Sequence, residues 1–249
     1  MPVRAVLFDL FDTLVDIHME RLPLVEIAGR RIPSTYGLLH AASVHWHGLD
    51  FDAFARELGR IDREQRDAVQ RDHREFPTIE RFRRLGEALG KPSEEMAERL
   101  TRLHMGEVAR HVTFHPHHAP LLERLRGGGA KLAVCSNFTH TETAREVLAL
   151  AGLLPHFDAV VISMDVGLRK PRAEIFQAAL HAVGAAPEQT LHVGDNLEAD
   201  VGGAAPLGIR PVWITRRVAD REAALRAFAG PAPAHTVADL AELEPLVLR

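Results

Sequence analysis

Short apolar runs that alternate with helical patterns constrain this chain more than any other feature. Residues 3–10 form an almost continuous apolar run, broken only by Arg4 and Asp9. A run this short, and β-prone at its centre, fits a strand buried on both faces of a parallel sheet. Similar runs recur at residues 131–135, 158–162, 190–193 and 211–214, with a shorter one at Thr236-Val237. Helix patterns fill the intervals at 118–126, 139–151, 173–183 and 198–207, and glycines punctuate the joins at 127–129, 152, 184 and 208. Alternation at this spacing implies right-handed crossovers and a parallel sheet. The expected fold is therefore α/β: a Rossmann-like parallel sheet core with helices on both faces.

Residues 16–111 read differently. They carry no convincing buried strand, but show helical periodicity with many charges at 51–70, 79–89 and 93–110, the last opening on Pro92-Ser93-Glu94-Glu95. A helical insert thus interrupts the sheet after its first strand, and it is long enough to be a small domain. The predicted division is 1–15 with 112–249 for the α/β core and 16–111 for the insert.

Bulk properties exclude several classes of partner. The formal net charge is −4 and the basic residues are scattered, which argues against nucleic acid or an anionic membrane. A single cysteine, Cys135, permits no internal disulfide and fits a reducing compartment, so a cytoplasmic location is expected. No signal-like segment and no apolar run of membrane-spanning length is present. The expected partner is a small-molecule substrate. No motif speaks to oligomeric state.

In open parallel sheets ligands bind beyond the carboxyl ends of the strands. Four such ends carry polar groups here: Asp9-Leu10-Phe11-Asp12-Thr13, then Ser136-Asn137, then Arg169-Lys170-Pro171, then Gly194-Asp195-Asn196-Leu197-Glu198-Ala199-Asp200. Taken singly, each reads as turn or capping chemistry. In this order, each after a strand, they resemble the four-motif signature of the haloacid dehalogenase-like hydrolases over essentially the whole chain. In that superfamily an insert after the first motif is a helical cap.

The resemblance implies roles. Asp9 would be the nucleophile, with Lys170 and Ser136 completing the catalytic set. Thr13, Asn137, Arg169 and the backbone around Phe11 would bind substrate. Magnesium would be held by Asp9, Asp195 and the Phe11 carbonyl, with Asp200 in its outer shell or orienting Asn196. Elementary chemistry agrees: a carboxylate nucleophile splits one hard step into two, and a dianionic phosphate near it needs neutralisation.

One position departs from the phosphatase pattern. Phe11 stands where most phosphatases of the superfamily carry an acid/base Asp, and Asp12 is expected to point elsewhere. The 2-haloacid dehalogenases carry an aromatic residue there, since halide needs no proton to leave. They also use no magnesium, whereas this sequence retains Asp195, Glu198 and Asp200. Carboxylates without a cation would repel an anionic substrate. The reading that follows is a magnesium-dependent phosphomonoester hydrolase acting on a small metabolite. The alternatives are a carbon–halogen hydrolase, with Arg30 or Arg31 holding the substrate carboxylate, and a non-catalytic binding member.

Other conspicuous residues read as structural. The chain has 15 histidines. His115, His117 and His118 fall where the chain re-enters the core, and a hinge is favoured there over a zinc site. His45-Trp46-His47 reads as a helix or turn with a half-buried Trp, Cys135 as a core residue, and residues 60–74 as a solvated helix face.

Overall fold

The computed structural model describes residues 2–248. By their contacts these fall into two compact units, Met1–Asp16 with Phe114–Arg249, and Ile17–Thr113.

Strand β1 (Ala5–Phe8) is fully buried, as its apolar sequence requires. The chain then enters the helical unit through a hairpin, β2 (Leu24–Ile27) and β3 (Arg30–Pro33). Ala28 and Gly29 both take positive φ at its tip, the conformation that a two-residue hairpin turn demands. The sequence reading missed this hairpin. Its strands are largely exposed and lack the apolar alternation that marks a half-buried strand, so only the Ala-Gly pair signalled a turn.

Four helices follow: α1 (Tyr36–His47), α2 (Phe51–Asp72), α3 (Thr78–Ala88) and α4 (Glu94–Arg110). Two begin on side-chain caps, with Ala53 N–H donating to Asp50 at 2.8 Å and Met96 N–H donating to Ser93 at 3.2 Å. Their apolar faces meet in one core that contains Leu39, Phe54, Leu58, Phe82, Leu85 and Leu100. A polar tie runs across it. Arg81 forks onto both oxygens of Asp62 at 2.6 Å, and the Tyr36 hydroxyl donates to Asp62 at 2.6 Å. A bidentate pair of this kind fixes orientation as well as attraction.

The α/β unit resumes with α5 (His118–Gly127), β4 (Lys131–Ser136), α6 (Thr141–Leu150), β5 (Ala159–Ile162), α7 (Ala173–Val183), β6 (Thr190–Gly194), β7 (Arg210–Ile214), α8 (Arg221–Ala227) and β8 (His235–Val237). The six strands of this unit form one parallel sheet in the order β8-β7-β6-β1-β4-β5, flanked by helices. Leu7, Ala133 and Cys135 pack with Ile175, Phe176 and Ala179 of α7. The predicted helix at 198–207 is present as an unbroken helical stretch whose pitch changes along its length. Residues Leu197–Val201 form a π-type turn, followed by Gly202–Ala204 and a 3₁₀ turn at Ala205–Leu207. The stretch is also closely packed. A Cβ on Gly203 would lie 2.6 Å from Phe176 Cε2 and 2.9 Å from Pro171 Cα.

The order reverses at β1, which lies between β6 and β4. Such a switch point opens a crevice at the carboxyl ends of the strands. Register does the rest. Phe8 aligns with Val134 and with Val193, so Asp9 emerges level with Cys135 and Gly194, next to Ser136 and Asp195. Among the described residues, no helix is long and apolar enough to cross a membrane.

Candidate active site

Asp9 leaves β1 with its backbone N–H donating to the Val193 carbonyl at 2.8 Å, so the sheet ladder itself fixes its start. Its carboxylate accepts from Lys170 Nζ at 2.7 Å and from the Ser136 hydroxyl. Lys170 Nζ also donates to Asp200 Oδ1 at 2.6 Å. Lys170 is only 3% exposed and Asp9 8%, so little water screens the pair. Burial works against the Lys170 ammonium, but Asp200 and Asp9 overcome it and hold the group charged.

Asn137 is spent on this arrangement. Its Nδ2 donates to the Lys170 carbonyl at 3.0 Å, and Lys170 N–H donates to Asn137 Oδ1 at 2.7 Å. Its side chain therefore clamps the lysine loop, whereas the substrate contact expected from the sequence belongs to the backbone N–H groups around Asn137. Arg169 stands beside Lys170 in that loop and is half-buried.

Asp200 accepts three hydrogen bonds. Oδ1 takes the Lys170 bond and a second from His192 Nε2 at 2.8 Å, while Oδ2 accepts Asn196 N–H at 3.0 Å. Burial alone would raise its pKa, yet Lys170 and His192 hold it below the usual carboxylate range. A carboxylate so committed acts as a strut for Lys170 and the Asn196 turn, which favours the orienting role for Asp200 over direct ligation. His192 is the residue that sequence reasoning missed. It sits fully buried in β6 beside Phe176, with ring centroids 5.0 Å apart. The only signal was a histidine in a strand otherwise apolar from Leu191 to Val193.

Asp195 differs from Asp200. No group among the described residues bonds to its carboxylate, while its backbone carbonyl accepts Trp213 Nε1–H at 2.8 Å. Burial first, then Asp9 and Asp200, push its pKa up to about 8. Carboxylate oxygens of Asp9, Asp195 and Asp200 lie within 4.8 Å of one another. Three carboxylates thus face one ammonium, and an all-oxygen donor set of this charge fits a hard divalent cation. Beside Asp195 a cavity of about 300 Å³ opens against Trp213, Val218 and Phe228.

Thr13 is fully buried and its Oγ1 has no hydrogen-bond partner. Buried hydroxyls are ordinarily satisfied, so this one is a donor held in reserve. Phe11 packs against Phe138, ring centroids 4.7 Å apart, and places an apolar wall where an acid was at issue. Asp12 takes a positive φ of 58° and pairs with Arg217 at 3.3 Å. Cys135 is buried, which pushes its thiol up to about 12; it is a core residue.

Comparison with known proteins separates family from reaction. The family model of haloacid dehalogenase-like hydrolases matches residues 3–208. The chain belongs to this family, and it is a hydrolase. Among curated relatives it is 40% identical over 134 residues to a phosphoserine phosphatase of Thermus thermophilus. That alignment covers 53% of this chain and 51% of the relative, so it spans about half of that protein. It is 29% identical to a glyceraldehyde 3-phosphate phosphatase of Methanopyrus kandleri, over 86% of this chain and 84% of the relative. It is 25% identical to an (S)-2-haloacid dehalogenase of Pseudomonas putida, over 99% of both. A haloacid dehalogenase-like phosphatase from Thermococcus onnurineus superposes with a TM-score of 0.59 at 25% identity, covering 98% of each chain. A 2-haloacid dehalogenase from Pseudomonas syringae gives 0.67 at 22%, covering 99% and 98%. Relatives of this hydrolase therefore include both phosphatases and dehalogenases.

Proposed function

We propose that this hydrolase cleaves small phosphate monoesters with good leaving groups, using Asp9 as nucleophile and magnesium as cofactor. One observation carries the reading: three clustered carboxylates against a single buried ammonium. The carboxylate of a haloacid would enter that excess negative charge uncompensated. A bound cation offsets it, and the relatives named as phosphatases point the same way.

Magnesium bound by Asp9, Asp195 and the Phe11 carbonyl would neutralise phosphoryl charge and polarise the phosphoryl oxygens. Asp9 attacks phosphorus, and the bond to the leaving oxygen breaks with its electron pair passing to that oxygen. The resulting aspartyl phosphate is then hydrolysed by water. Lys170 holds Asp9 in place and offsets charge gathering between the two. The reserve hydroxyl of Thr13 donates to a phosphoryl oxygen, while the Ser136 hydroxyl keeps its bond to Asp9 and holds the nucleophile. Phe11 supplies no proton, so acyl, aryl or sugar-1-phosphates fit better than simple alkyl esters. Residues 17–113 would serve as the cap.

The test is phosphate release from p-nitrophenyl phosphate. We expect it to require magnesium and to vanish in Asp9→Asn. Halide release from chloroacetate in the presence of a chelator, with no phosphatase activity, would overturn the proposal in favour of the dehalogenase reading.

A further inference from the structure

A second polar cluster lies outside the Asp9 centre, at the start of α5. His118 is fully buried. Its Nδ1 lies 2.8 Å from the Leu14 carbonyl, which can only accept, so Nδ1 carries the proton. Nε2 is then left with a bare lone pair, and it has no hydrogen-bond partner. A ring nitrogen with its other N–H held by a backbone carbonyl is the arrangement that orients metal-binding imidazoles. A ring nitrogen of His117, one of His118 and a carboxylate oxygen of Asp239 all lie within 4.8 Å of one another. His115 stands beside them, its ring centroid 4.8 Å from that of His118, and it faces Asp16 at 3.1 Å.

We propose that His117, His118 and Asp239 form a zinc-type divalent metal site, with His115 or water as the fourth ligand. The donor set is that of a tetrahedral nitrogen and oxygen site, unlike the all-oxygen Asp9 centre. His117 and Asp239 remain partly exposed, which gives an ion a route in, and their present 2.8 Å contact gives way to ligation. Asp239 is held by its own turn, since its Oδ1 also accepts Ala241 N–H at 2.9 Å. The group that opposes binding is Arg216, whose Nη1 lies 3.8 Å from Asp239 Oδ2 and whose Nη2 is tied to Asp16 at 2.6 Å. That guanidinium weakens the site without blocking the two imidazoles. The histidine-rich return to the core thereby becomes a ligand platform, where the sequence reading favoured a hinge.

The experiment uses the full chain, stripped with chelator and supplied with excess magnesium. Zinc retained after gel filtration is measured by elemental analysis, with cobalt absorption as a second readout. We expect about one tightly bound zinc per chain. His117→Ala, at an exposed position, and Asp239→Asn, which keeps the cap, should each weaken binding at least about tenfold. Asp195→Asn should leave it unchanged. Three results would overturn the proposal: no tight zinc in the wild type, equal zinc in His117→Ala, or loss of zinc in Asp195→Asn. Circular dichroism of each variant separates loss of ligand from loss of fold.

Discussion

Gly194 and Asp200 approach so closely that a Cβ on the glycine would sit 2.1 Å from the carboxylate carbon. No side chain other than hydrogen fits at the end of β6 unless Asp200 withdraws. Because Asp200 anchors Lys170 and the Asn196 turn, the glycine sets the geometry of the whole cluster. Gly194→Ala should therefore lower kcat on p-nitrophenyl phosphate by at least about 10²-fold, since small misplacements at a reacting centre are costly. A fully active Gly194→Ala enzyme would show that Asp200 can be displaced without consequence.

The Lys170 ammonium is shared between two buried carboxylates, so its removal leaves both uncompensated. Breaking a buried pair from one side costs about 3–5 kcal/mol. Lys170→Met should destabilise by roughly that amount in denaturant melts without magnesium. Asp9→Asn added to Lys170→Met should recover part of the loss, because the two residues share one interaction. Strict additivity of the two changes would contradict the coupling.

Much of this site was legible because it depends on strand ends. Once β1, β4 and β6 are recognised, parallel register brings Asp9, Ser136 and Asp195 to one edge without further information. The roles of Asn137 and Asp200 were less legible, since residue type says nothing about which lone pairs are already taken. His192 was hidden for another reason: a buried polar group inside an apolar strand is defined by a partner eight residues away. The β2–β3 hairpin escaped because exposed strands bury no face, and periodicity reports only burial. The change of pitch after Asn196 was not legible either, and the close contact of Gly203 with Phe176 and Pro171 is tertiary and absent from local pattern.

His192 supports Asp200 through one hydrogen bond, while its own Nδ1 goes unsatisfied. Replacing it by Phe keeps a ring beside Phe176 and deletes both the donor and the orphan. The lost bond to a charged acceptor costs about 1.5–3 kcal/mol, partly offset by removal of the orphan. The expected result is a modest fall in melting temperature with a clear fall in kcat and little change in KM. An unchanged kcat in a folded His192→Phe variant would place His192 outside the support of Lys170.

His104 is a buried imidazole whose protonation should weaken the helical unit in acid. Burial first, then Arg81, bring its pKa down to about 3, and its Nδ1 lies 2.8 Å from the Thr35 hydroxyl. In the unfolded chain the imidazole titrates near about 6.5. Between these values the unfolded state binds the proton and the folded state does not, so stability is lost as pH falls from about 6.5 toward 3. Thermal melts should show that loss, and His104→Asn, which can still reach Thr35, should flatten it. An unchanged pH dependence in the variant would assign the acid loss to other groups.

Phe11 is where the proposed reaction can be rebuilt. Its ring packs on Phe138, at the position where the sequence resemblance would place the acid that protonates a leaving oxygen. Under the proposed chemistry the wild-type enzyme should discriminate sharply by leaving group, since nothing assists an alkoxide to depart. Phe11→Asp should raise kcat on alkyl phosphates, with a ceiling of about 10²–10⁴-fold set by what a positioned acid contributes. It should change p-nitrophenyl phosphate hydrolysis far less, because that leaving group needs no proton. The added carboxylate also joins an already anionic cluster, so the gain should appear only at saturating magnesium. An equal gain on both substrates would mean that Phe11 limits access to Asp9 and not proton transfer. No gain on either, with magnesium saturating, would mean that the wall built by Phe11 and Phe138 belongs to a substrate other than a phosphate ester.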